Sequence, residues 1–217
     1  MQKEEIIRKT ADYVKSILAD ENSGHDWWHI SRVWNNAINI GNNEGVDMYV
    51  VELAALLHDI ADWKFNEGDI NKGVKVSKEW LESLYVEENV IQYVCDIVKN
   101  ISFKGAEVKN LINTKEGMVV QDADRLDAIG AIGIARTFAY GGHAGRVMYN
   151  PNIKPQLHDT FEKYKANNSP TINHFYEKLL LLKDMLNTES AKKIAENRHK
   201  YMEGFLDEFY AECNGKA

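Results

Sequence analysis

The stretch Ala54-Ala55-Leu56-Leu57-His58-Asp59-Ile60-Ala61-Asp62-Trp63-Lys64 constrains this chain more than any other. It opens as an apolar helical run and ends in an imidazole, two carboxylates and an ammonium group. A helix that is apolar on every side belongs inside a core. His58 and Asp59 therefore sit beside almost dry surface, where leaving them unpaired would cost several kcal/mol. A divalent metal ion is one partner that satisfies both groups at once.

Elsewhere the text is almost entirely helical. Ile6, Ile7, Tyr13, Val14, Ile17 and Leu18 recur at helical spacing between Lys3 and about Ala19. Asn22-Ser23-Gly24 breaks that pattern, and Asp26 is placed to cap a helix running to about Glu44. Asp47 caps the central helix, expected from Met48 to Ile60. Amphipathic helices are expected near Asn71–Tyr85 and Glu87–Asn100, with loop and a short helix over 102–113. Met118 to Tyr140 reads as a second core helix packed on the first, despite Gly130 and Gly133, which weaken a helix by ~1 kcal/mol each. Those glycines make sense where another backbone passes close.

An irregular segment over about 141–170 holds Pro151, Pro155 and Pro170. Loops of that length in compact domains are often functional, as lids are. Helices near Ile172–Leu186 and Thr188–Glu212 close the chain, the latter capped by Thr188. No run reads as a strand. The expected class is all-α, in one domain over 1–217, with a helical core at about 20–140 and terminal helices at about 171–213.

Composition excludes several functions. Lys plus Arg is 26 against 33 for Asp plus Glu, a net charge of −7. That balance argues against nucleic-acid polymers, whose binding depends on neutralising phosphates, and against an anionic membrane surface. The two cysteines, Cys95 and Cys213, have no metal or disulfide spacing and read as inert thiols. The first residues are charged where a signal peptide would be apolar, and no apolar run approaches the ~20 residues needed to span a bilayer. A cytoplasmic protein is expected. The apolar faces of the terminal helices are expected either to cover the core or to form a homodimer.

Four groups carry the chemistry: His29, the adjacent pair His58-Asp59, and Asp124. Neighbouring helical residues diverge by about 100°, so His58 and Asp59 can both reach an ion beside their helix. Two imidazoles and two carboxylates suit one divalent ion among Mn, Fe, Co, Ni, Zn and Mg. Asp122 and Asp127 compete with Asp124 for the ligand position, and the aromatic groups Trp27, Trp28, Trp34 and Trp63 read most simply as core, with Trp63 also placed to stack a base.

The words His25-Asp26-Trp27-x-His29-x-x-Arg32-Val33, Ala54-Ala55-Leu56-Leu57-His58-Asp59-Ile60-x-Asp62-x-Lys64 and Gln121-Asp122-Ala123-Asp124-Arg125-Leu126-Asp127-Ala128-Ile129-Gly130 resemble the HD superfamily of metal-dependent phosphohydrolases. With Ile172-Asn173-His174-Phe175-Tyr176-Glu177-Lys178-Leu179, the likeness extends to the small stand-alone bacterial members and covers most of the chain. The resemblance implies a phosphodiesterase-like helical bundle holding a metal through His29, His58, Asp59 and Asp124. No histidine lies between Asp59 and Gly142, whereas two-metal members generally add some there, so one ion is expected, with Mn favoured.

The activity implied is hydrolysis of a nucleotide, most sharply of a nucleoside triphosphate to monophosphate and pyrophosphate. A 5′-nucleotidase, a phosphodiesterase or a nucleotide sensor with little turnover are the alternatives. Asp62 resembles the acidic residue that orients or deprotonates the water in some relatives, with Lys64 beside it as a catalytic candidate. Arg32 and Arg125 are candidate phosphate ligands, against pairing with Asp122 or Asp127. His25 and His143 are candidate substrate contacts. His158, His174 and His199 read as structural or solvent-exposed.

Overall fold

The computed structural model describes residues 2–19, 26–60, 72–101, 111–157 and 169–216. Among these residues there are nine α-helices and one 3-10 helix, and no strand, as an all-α class requires. They are α1 (Lys3–Ile17), α2 (Trp27–Glu44), α3 (Met48–Leu57), α4 (Lys72–Ser83), α5 (Glu88–Asn100), α6 (Lys115–Asp127), α7 (Gly130–His143), α8 (Asn173–Glu177), the 3-10 helix Leu179–Met185, and α9 (Glu189–Cys213). No helix among the described residues is long and apolar enough to cross a membrane. The chain divides into two compact units, Met1–Phe103 with Lys109–Asp124, and Arg125–Ala217 with Lys104–Val108.

In the first unit α3 is the centre, packed against α1, α2 and α5. Every residue from Leu53 to Leu57 is fully buried, with Val50 and Val51 behind them, so α3 is enclosed on all sides as its sequence demands. Each buried leucine contributes roughly 1.5–3 kcal/mol. Val33, Ala37 and Ile40 of α2 and Ile91, Val94 and Ile97 of α5 supply the surrounding layer. Trp80 of α4 stacks on Tyr13 of α1 at 3.8 Å between ring centroids, and its Nε1–H donates to Thr10 Oγ1 at 3.0 Å. Asp26 and Asp47 cap α2 and α3, accepting from the backbone N–H groups of His29 and Tyr49.

Glu116 of α6 fastens the start of α3 from outside. Its carboxylate accepts from the Asp47 backbone N–H at 3.0 Å and from the Tyr93 hydroxyl. Burial pushes this carboxyl up, but the bonds from Tyr93 and Asp47 outweigh it and hold it below its ordinary value of 4.5. A lowered folded-state pKa stabilises the native state above the unfolded value, and that contribution is lost as pH falls through the folded value. Acid unfolding should therefore be less steep below about pH 4.5 in Glu116→Gln than in wild type, a difference that circular dichroism against pH would register.

The second unit is built on rings. Phe138 of α7, Phe175 of α8 and Phe205 and Phe209 of α9 lie with centroids 5.7–6.2 Å apart in the contacts they make. Tyr149 joins them edge-on to Phe209 at 5.8 Å. The segment before α8 is tied down at both of its described ends. Thr171 and Ile172 donate backbone N–H bonds to Val147 and Met148, and the buried Glu177 carboxylate accepts from both the Gln156 N–H and the Ser169 hydroxyl.

Two sequence expectations change here. Met118–Tyr140 is not one helix: α6 ends at Asp127 and α7 begins at Gly130, whose φ of +77° is a left-handed conformation that a side chain disfavours. A Cβ on Gly133 would lie 2.2 Å from the Ala128 carbonyl oxygen, so the close backbone is that of the break itself. Ile172–Leu186 likewise divides into α8 and a 3-10 helix at Lys178, which has φ −145° and ψ −60°. The 102–113 loop lies outside the described residues as far as position 110.

Candidate metal centre

His29 occupies the first turn of α2, where its own N–H is fixed by the Asp26 carboxylate at 2.8 Å. His58 is the residue at which α3 stops, still in helical conformation at φ −59° and ψ −32°. Its Nδ1 lies 2.8 Å from the Ala55 carbonyl oxygen. A carbonyl only accepts, so Nδ1 carries a proton, which leaves Nε2 as the ring atom able to ligate an ion.

Nε2 faces the other candidate ligand atoms. His58 Nε2 is 3.3 Å from His29 Nε2, 3.8 Å from Asp59 Oδ2 and 3.9 Å from Asp124 Oδ1. His29 Nε2 in turn is 3.4 Å from Asp59 Oδ2 and 3.6 Å from Asp124 Oδ1. Donors held about 2.1 Å from a single ion are separated by roughly 3.0 Å at right angles and 3.4 Å at the tetrahedral angle. The observed spacings are those of ligands gathered around one centre. Imidazoles and carboxylates are ligands that suit a divalent ion. His29, His58 and Asp59 offer atoms that all lie within 4.8 Å of one another, with Asp124 Oδ1 3.6 Å from His29 Nε2, so the residues present fit such a metal.

The surroundings give the centre a direction. The side chains of His29 and His58 are each 1% exposed, that of Asp59 13% and that of Asp124 31%. The imidazoles form the closed floor, and solvent reaches the cluster from the Asp124 side.

The other two aspartates of α6 have different surroundings. Asp122 is fully buried, and Asp127 binds Arg136 Nη1 at 2.6 Å within the second unit. Arg32 stands one turn beyond His29, half-buried. Arg125 is buried and donates to the Met185 carbonyl within the second unit. His143 stands exposed at the end of α7. His25, Asp62, Lys64, Trp63 and His158 lie outside the described residues. The central helix, expected to reach Ile60, ends at Leu57, and the Ile60 N–H closes a turn onto the Leu57 carbonyl.

Trp28, expected in the core, is instead 64% exposed, since it lies on the solvent side of α2 between half-buried Trp27 and buried His29. Trp34 is half-buried and its Nε1–H donates to Glu52 of α3 at 2.9 Å. Asn36 also escaped the sequence reading, although its seven-residue spacing from His29, two helical turns, was there to be seen.

The family model for the HD domain matches residues 27–129, which include all four donors. An HD-superfamily hydrolase from Bacillus thuringiensis is 48% identical, with a TM-score of 0.76 over 98% of this chain and 99% of that chain. A protein from Lactobacillus plantarum superposes with a TM-score of 0.87 at 36% identity, over 99% of this chain and 100% of the other. YpgQ of Bacillus subtilis, an uncharacterized protein, is 40% identical over 205 residues, 94% of this chain and 91% of that protein. Its crystal structure in complex with ADP superposes with a TM-score of 0.79 over 98% of this chain and 97% of that one. With its donor cluster inside the matched region and relatives this similar over nearly its whole length, this chain belongs to the HD superfamily of hydrolases.

Proposed function

We propose that this protein hydrolyses nucleotides at one divalent metal ion held by His29, His58, Asp59 and Asp124. The sharpest form of the reading is cleavage of a nucleoside triphosphate to monophosphate and pyrophosphate, with Mn the favoured ion. The observation that carries it is the convergence of two imidazoles and two carboxylates from three parts of the chain, with the imidazoles buried and the carboxylates more exposed. The ADP bound by YpgQ supports a nucleotide ligand here.

The ion, when bound, would neutralise phosphoryl charge and lower the pKa of a water molecule. The chain supplies the rest. Ala55 and Asp26 hold the two histidines in place, and the buried floor keeps water to one side of the cluster. Phosphoryl transfer asks a protein mainly for positioning and charge neutralisation. Arg32, Arg125 and Lys64 are proposed to take phosphate oxygens, His25 and His143 to contact substrate, and Asp62 to orient the water. The same reading makes the protein a cytoplasmic enzyme for small nucleotides, with no nucleic-acid polymer or membrane as partner, acting alone or as a homodimer.

The test is product analysis of purified protein with Mn and a panel of nucleoside mono-, di- and triphosphates. Monophosphate with pyrophosphate is the expected pair. Nucleoside with phosphate would move the activity to a nucleotidase, and no product despite bound Mn would leave a sensor. Asp62→Ala should lower turnover with Mn still bound.

A further inference from the structure

The four donors depend on how α3 and α6 are held against α2, and α2 carries a tether to each. Taking His29 as zero on the α2 wheel at 100° per residue, the buried residues Ile40, Val33, Ala37 and Ile30 fall within an arc of roughly 100°. Trp34 lies on one flank, at about 140°, and bonds Glu52 of α3, the helix that ends in His58. Asn36 lies on the other flank, only about 20° from His29 and two turns along. Its Nδ2 donates to the carbonyl oxygen of Ala123, the residue before Asp124, at 3.4 Å.

One face of α2 therefore presents a metal donor and also grips the backbone beside a second donor. From this juxtaposition we infer that Asn36 is a positioning residue for the metal centre. By holding the Ala123 peptide, it sets the approach of Asp124 Oδ1 to His29 Nε2, now 3.6 Å. Asp124 is the most exposed of the four donors, so packing restrains it least and a tether there has the most to do. The inference rests on the metal reading above.

The experiment measures Mn affinity by calorimetry, and the melting temperature without metal, for wild type, Asn36→Ala, Asn36→Asp and the exposed neighbour Asn35→Ala. Residues that orient metal ligands typically change affinity by 10–100-fold, and about tenfold weaker binding is expected for Asn36→Ala. The metal-free melting temperature should fall by no more than about 4 °C, and Asn35→Ala should match wild type.

Asn36→Asp separates positioning from charge. A carboxylate added near a cation site tightens binding by Coulomb attraction alone. Placed against the Ala123 carbonyl it loses the donor and repels, so positioning requires weaker binding. Wild-type affinity in Asn36→Ala, or tighter binding in Asn36→Asp, would overturn the inference while leaving the metal site intact. A wild-type protein that takes up no Mn would overturn the metal reading together with it.

Discussion

Replacing His58 with alanine should abolish Mn uptake and lower nucleotide hydrolysis on the order of a thousandfold or more. The imidazole supplies one of four donors and forms half of the buried floor, so its loss leaves an ion with fewer ligands and a route for water from below. Charge stabilisation by a bound metal is worth several kcal/mol, and each 1.36 kcal/mol is tenfold in rate. The fold should survive. Within the protein the ring gives up its Nδ1 bond to the Ala55 carbonyl and its Nε2 contact with His29, together worth about 1 kcal/mol net. In a domain of this size that is a fall of roughly 2–4 °C in melting temperature. Thermal unfolding with increasing Mn gives an independent reading. Wild type should gain about 2.7 kcal/mol at a hundred times its Kd, and the variant should gain nothing. A variant that keeps wild-type Mn affinity would remove His58 from the ligand set.

How far the sequence reached depends on whether the deciding force is local. The caps at Asp26, Asp47 and Thr188 could be read from text because a cap is a bond between near neighbours. The enclosure of α3 could be read as well, because a run apolar on every face has no solvent side. The break at Ala128–Gly130 could not: glycine signals either a close approach or a left-handed turn, and only the backbone at φ +77° decides between them. Leu179–Leu182 suits an α-helix or a 3-10 helix equally, since four successive leucines carry no period. Trp28 was misplaced because ring chemistry does not reveal which side of α2 faces water. The bonds of Asn36 to Ala123 and of Trp34 to Glu52 could not be read either, because those partners are set by packing between helices.

The three aspartates of α6 pose the same problem most sharply, and a pair of substitutions separates their roles. Asp127→Ala should destabilise the protein by about 3 kcal/mol, since a buried carboxylate that holds an arginine at short range is lost. The Asp127 side chain is 2% exposed, with Arg136 Nη1 at 2.6 Å. Arg198 is also affected. Burial lowers the pKa of its guanidinium and the Asp127 charge opposes that shift, while Nη1 donates to the Leu126 carbonyl at 2.5 Å. At roughly 2–4 °C per kcal/mol, the melting temperature should fall by on the order of 10 °C. Removing both charges, as in Asp127→Ala with Arg136→Met, should recover part of the loss, because the two changes act on one ion pair and are not additive. Asp124→Ala should do the opposite. Its side chain is 31% exposed, with the Nε2 atoms of His29 and His58 at 3.6 and 3.9 Å, so the metal-free protein should melt within a few degrees of wild type. Mn affinity, measured well below each melting temperature, should then drop by on the order of a hundredfold in Asp124→Ala, a first ligand costing at least what its supports do. In Asp127→Ala it should stay near the wild-type value. An exchange of these outcomes would make Asp127 the ligand and Asp124 a structural group, and the metal centre would have to be rebuilt around it.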